Sequence, residues 1–146
     1  MLLNKKIYLF VFIIFSCVCL FLFVNKNNTK NDNILEPLKC DLNVQDCCYD
    51  FKGNKILVSI NPKPIGSLEK TTLKITNLPD YKNPKLIIYG LNMYMGDTTP
   101  KINKISKNVY ESNFILAQCT LEKMRFRAQI LDGNKEEFYF DFEIKR

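Results

Sequence analysis

Two hydropathy patterns divide the chain. From Ile7 to Val24 the run IYLFVFIIFSCVCLFLFV holds 18 residues without a charge. As an α-helix it would be about 27 Å long, close to the thickness of a bilayer's hydrocarbon core. Beyond residue 50 apolar and polar positions alternate over short stretches, which is the period of β-strands. These stretches are KILVSIN at 55–61, TTLKITN at 71–77, KLIIYGLNM at 85–93, KINKIS at 101–106, VYESNFILA at 109–117, MRFRAQIL at 124–131 and EFYFDFEI at 137–144. In the last of them Phe138, Phe140, Phe142 and Ile144 share one face while Tyr139, Asp141 and Glu143 take the other, the pattern of a strand half buried against a core.

Turn-forming residues punctuate these runs: Pro62, Pro64 and Gly66, then Pro79 with Asp80, then Gly96 to Pro100, then Asp132-Gly133-Asn134. No helical period fits between them. The pattern predicts an all-β fold, a single immunoglobulin-like antiparallel sandwich of about seven strands, preceded by one N-terminal transmembrane helix. The expected organisation is a cytoplasmic tail at 1–6, a transmembrane signal anchor at 7–24, a tether and Cys-containing lead-in at 25–50, and the sandwich at 51–146.

Flanking residues orient the span. Lys5 and Lys6 precede it, and the polar stretch NKNNTKNDN follows it at 25–33, so a short cytoplasmic tail and an exported body are expected. No small-residue cleavage site follows Val24, which favours an uncleaved anchor over a signal peptide. The expected location is therefore the inner membrane, single-pass, with the C-terminal domain in the periplasm.

Composition narrows the chemistry. With no histidine, the chain cannot build a Ser-His-Asp or Cys-His catalytic unit, an HExxH zinc site or a His-ligated haem. The formal net charge of +6 falls to +4 outside the first 24 residues, and its lysines are scattered rather than gathered in a stripe, so no nucleic-acid partner is expected. Cys47-Cys48 is an adjacent pair and not the CxxC of a thiol oxidoreductase, and no enzymatic activity is expected.

Four cysteines lie beyond the apolar run: Cys40, Cys47, Cys48 and Cys119. Cys40 and Cys47 can close a small disulfide loop ahead of the first strand, leaving Cys48 either to pair with Cys119 or to stay free. The most specific chemical feature is the segment Gly90-Leu91-Asn92-Met93-Tyr94-Met95-Gly96, followed later by Cys119 and Met124. Were the first segment extended, Met93 and Met95 would point to one side of the sheet. Thioethers and a thiolate without imidazole form the soft donor set that selects Cu(I). Methionine is equally a filler of irregular core gaps, so the same residues also suit a purely structural role.

The anchor, the C-x6-C ahead of the first strand, the G-x-x-M-x-M-G segment and the later L-x-x-C-x4-M resemble short membrane-anchored FixH/YtkA-like periplasmic β-sandwich proteins of proteobacteria. The resemblance covers roughly Cys40 to the C-terminus. It implies, for some members, copper handling or assembly of haem-copper oxidases, with Met93, Met95, Cys119 and Met124 as candidate metal ligands. One departure is Phe126, where tryptophan is expected. Two expectations result: a periplasm-facing interaction module that docks on another envelope or respiratory-complex protein, and alternatively a Cu(I)-binding accessory protein.

Overall fold

The computed structural model describes residues 37–117 and 122–145 together with Ser16. Apart from Ser16, the expected anchor at 7–24 lies outside the described residues, as do the tether at 25–36 and Cys119. Among the described residues no helix is long and apolar enough to cross a membrane.

Residues 37–146 form one compact unit built from β-strands. The first two, β1 (Cys47–Phe51) and β2 (Asn54–Asn61), make a hairpin closed by Lys52 and Gly53. Both turn residues have positive φ, 49° and 78°. That pair of conformations matches the right-handed twist of the flanking strands, and glycine adopts it without steric cost. The chain continues through β3 (Lys70–Thr76), β4 (Pro84–Gly90), β5 (Ile102–Ser106), β6 (Val109–Ile115), β7 (Lys123–Asp132) and β8 (Lys135–Lys145).

These strands form two antiparallel sheets, one of five strands in the order β1-β2-β3-β6-β5 and one of three in the order β4-β7-β8. The alternation read from the sequence is the one that buries them. Ile56, Val58 and Ile60 of β2, Leu73 and Ile75 of β3, and Tyr110 and Phe114 of β6 line the core from the larger sheet. Leu86 and Ile88 of β4, Phe126, Ala128 and Ile130 of β7, and Phe138, Phe140, Phe142 and Ile144 of β8 meet them from the smaller. The three β8 phenylalanines form a continuous aromatic row with centroids 5.9 and 6.2 Å apart, and Phe126 stacks on Phe142 at 5.7 Å.

Two features depart from the sequence pattern. The folded unit includes residues 40–50, which the pattern assigns to the lead-in. Leu42 is fully buried, and β1 sets Tyr49 against Phe138 and Phe140 with centroids 5.9 Å away in each case. CCYDF lacks an aliphatic alternation because its inward positions are a cysteine and two aromatics, so it carries little strand signal. In addition, β5 contributes little to the core. Its register shifts between Lys104 and Ser106, and Ile105 is 59% exposed.

The expected Cys40–Cys47 pair is at disulfide distance, with Cα atoms 5.9 Å apart. The loop it closes is tied to both sheets through Asn43. The Asn43 amide donates to the Glu143 carbonyl of β8 at 2.8 Å and to the Asp41 carboxylate at 2.8 Å. Its side-chain oxygen accepts from the Ile65 backbone N–H at 2.9 Å, in the β2–β3 connection. At the other end of the larger sheet, the buried Tyr110 hydroxyl donates to the Pro79 carbonyl at 3.2 Å and accepts from the Tyr81 N–H at 2.9 Å. This tie fixes the connection that leads into β4.

Phe140 is 2% exposed at the centre of the aromatic row, so Phe140→Ala should lower unfolding free energy by about 3–5 kcal/mol. Urea denaturation of the two proteins measures it, and a loss below about 1 kcal/mol would mean that the ring is not a core group. Tyr49 supplies a pH test. Burial first, and the charge of Asp141 second, push its phenol up to about 12 from 10.0. A raised acid pKa means that the folded state holds the proton more tightly, so its contribution is complete below pH 10 and is lost as pH climbs towards 12. Stability measured across that window should fall less steeply for Tyr49→Phe than for the parent chain.

Candidate functional site

The segment between β4 and β5 carries the exposed chemistry, and β4 ends sooner than the apolar run suggests. After Gly90 the chain bends through 91–93 and continues without regular structure to 97. Met93 and Met95 are therefore not on an extended strand, and the period-two argument for a common side does not apply to them. What stops β4 is the return of its own chain. A Cβ on Gly90 would lie 2.1 Å from the Met93 carbonyl oxygen and 2.8 Å from the Met124 methyl carbon. Only a residue without a side chain lets the loop fold this closely over the strand end.

Hydrogen bonds brace the segment at both ends. The Leu91 N–H donates to the Arg125 carbonyl at 2.8 Å. The Asn92 side chain donates to the Lys123 carbonyl at 2.9 Å and accepts from the Arg125 N–H at 3.0 Å. At the far end Thr98 and Ile88 exchange backbone hydrogen bonds of 2.8 Å in each direction. The loop is thus held against β4 and β7 before any partner arrives, which lowers the ordering cost of binding.

Between this loop and the outer face of β4 and β7 runs an open groove of about 490 Å³. Ile87, Tyr89 and Gln129 project from the strands into it, and Leu91, Tyr94 and Asp97 enclose it from the loop. The Tyr94 hydroxyl donates to the Asp97 carboxylate, and that acceptor raises the Tyr94 pKa. Beside the groove, Arg127 forms a two-bond fork to Asp141, with Nε and Nη2 at 2.7 and 2.9 Å from its oxygens, and its guanidinium lies over the Tyr139 ring at 4.4 Å. The carboxylate holds the Arg127 pKa above its ordinary value. Next along the same strands Arg125 and Glu143, both 6% exposed, form a second ion pair, with Arg125 Nη2 2.5 Å from Glu143 Oε1.

Of the residues singled out for soft-metal chemistry, Met93 and Met95 are 38% and 45% exposed. Met124 is fully enclosed between the sheets. Its methyl and the Met93 carbonyl both crowd Gly90, so the end of β4 and the start of β7 lie side by side. Cys119 lies outside the described residues. Cys48 is exposed on β1 and has no disulfide partner among the described residues. Among the described residues no group of three or more His, Cys, Asp or Glu side chains is placed to hold a metal ion. Tyr89, Tyr94 and Asp97 were not singled out in the sequence. The available signal was Tyr94 between two methionines in a segment bounded by glycines. Comparison with family models, with curated proteins and with solved structures finds no match.

Gly90→Ala tests how closely the loop must approach. The new methyl cannot fit while the Met93 carbonyl stays in place, so the loop must move. Unfolding free energy should fall by about 1–3 kcal/mol, with resonances of residues 91–98 shifting most in an amide NMR spectrum. An unperturbed spectrum would refute the close packing.

Proposed function

We propose that this chain is a membrane-anchored interaction module without catalytic activity, which presents the outer face of its smaller sheet to another envelope protein. The observation that carries this reading is the exposure of three consecutive large side chains on a braced loop: Met93 at 38%, Tyr94 at 69% and Met95 at 45%. Tyrosine and methionine are efficient contact residues, because one offers a large amphipathic ring and the other an adaptable thioether. The adjoining groove gives them a shaped receptor surface.

The strand order supports the finer fold reading. With β1 set aside, β2-β3-β6-β5 and β4-β7-β8 correspond one to one with the ABED and CFG sheets of a constant-type immunoglobulin domain. On this reading β1 is an added edge strand. The anchor rests on the apolar run at 7–24, and the periplasmic location rests on the residues flanking that run. The FixH/YtkA-like resemblance is consistent with this arrangement. Docking on a respiratory or other envelope complex is the role proposed for the face.

Cu(I) binding is the second reading, favoured by the solvent-accessible thioethers of Met93 and Met95. Met124, enclosed in the core, would have to leave it to join them. Two measurements on the full chain separate the readings. A photo-crosslinking amino acid at position 94, tested in native membranes, should give a discrete product that the same group at position 74, on the opposite sheet, does not. Anaerobic Cu(I) titration against a chromogenic chelator should give the same affinity for the parent and for the Met93→Leu, Met95→Leu double variant. A lost Cu(I) equivalent in the double variant, with no discrete product from position 94, would put the copper reading in front.

A further inference from the structure

We infer that the groove beside β4 receives a positively charged side chain, arginine or lysine, from the protein that docks on this face. The inference rests on the interaction reading above and adds the chemistry of the contact. Asp97 is the only charged residue among those lining the groove. Its carboxylate accepts from the Tyr94 hydroxyl, and none of the ion pairs among the described residues involves it. The nearest guanidinium in the neighbouring row, Arg127, is held by Asp141 in its two-bond fork, so its charge is matched within the sheet. The groove lining itself therefore carries one negative charge, that of Asp97.

The walls select the kind of cation. Tyr89 and Tyr94 bring aromatic surface, and Ile87 and Leu91 bring aliphatic surface, around the single carboxylate. An organic cation with an apolar stem satisfies all of them at once, with its head on Asp97, its stem along Ile87 and Leu91, and an aromatic ring beside its charge. An anion would meet Asp97 unfavourably. An inorganic cation would find one carboxylate where it needs several ligands. The groove is open, so a free small cation would keep much of its surface in water. A side chain presented by a partner gains in addition the contacts of Met93, Tyr94 and Met95 around it, which is why a protein-borne cation is the occupant assigned. The braced loop keeps Tyr94 and Asp97 in place before binding.

The test uses the full-length chain in neutral detergent, labelled with 13C at its methionine methyl groups. The four methionines are Met1, Met93, Met95 and Met124, so two signals report the loop beside the groove and one reports the core. The probe is the peptide acetyl-Gly-Leu-Arg-Leu-Gly-amide, compared with the same peptide carrying citrulline, which keeps the shape of arginine and removes its charge. The arginine peptide should move the Met93 and Met95 signals saturably and leave Met124 in place. The citrulline peptide, and the arginine peptide on Asp97→Asn, should each bind roughly tenfold more weakly or worse, the loss expected for a charge-assisted contact. Binding of the arginine peptide should also weaken with added salt. Equal binding of the two peptides would overturn the cation and leave the face as a neutral contact surface. Absence of any shift with either peptide would overturn the inference alone, because the product from position 94 tests the interaction reading independently. Argininamide binding as tightly as the peptide would overturn the assignment to a partner's side chain in favour of a small-molecule cation.

Discussion

The register of β7 against β8 is the constraint on which the smaller sheet and its groove depend. Phe126 lies opposite Phe142 and Ala128 opposite Phe140, all facing the core, while Arg125 lies opposite Glu143 and Arg127 opposite Asp141 on the other face. A slip of one residue would send the phenylalanines to the outer face and the charged side chains into the core, and both changes are costly. The aromatic row and the two ion pairs thus select the same register from opposite sides of the sheet. The ion pairs contribute more to this choice than to net stability, since desolvation offsets much of the attraction of a buried pair such as Arg125–Glu143.

Everything at the candidate site follows from that register. β7 is the central strand, so it places β4, and β4 in turn places Ile87 opposite Gln129 and Tyr89 opposite Arg127. The loop after Gly90 is then anchored to the Arg125 and Lys123 backbone through Leu91 and Asn92. Rigid strands make the floor of the groove, while its wall is a loop whose two ends are hydrogen-bonded to those strands. Such an arrangement lets loop side chains vary in chemistry without disturbing the core that positions them.

Strand content was legible along most of the chain because alternation between the two faces is a local property of sequence. β2, β3, β6, β7 and β8 could be read from runs such as TTLKITN and EFYFDFEI, whose apolar positions are the ones that reach the core. β1 could not, because its inward residues are Cys47, Tyr49 and Phe51 and their burial depends on β8 lying across from them. The end of β4 was also illegible. KLIIYGLNM reads as one strand, and only the crowding of Gly90 by the Met93 carbonyl and the Met124 methyl shows why the chain turns at that point.

The sequence by itself determined the class of fold, the inward face of β8 and the absence of histidine chemistry, and it offered Cys40 with Cys47 as a short-range closure that the structure brings to disulfide distance. Each of these depends on residues near one another in the chain or on composition alone. Tertiary structure decided how the two sheets are assembled, that Asn43 ties the disulfide loop to β8 and to the β2–β3 connection, and that Met124 turns inward while Met93 and Met95 reach water. It also decided that Tyr89, Tyr94, Asp97 and Gln129 line one groove. These juxtapositions join residues far apart in sequence, and strand order, set by the burial of one shared core, brings them together.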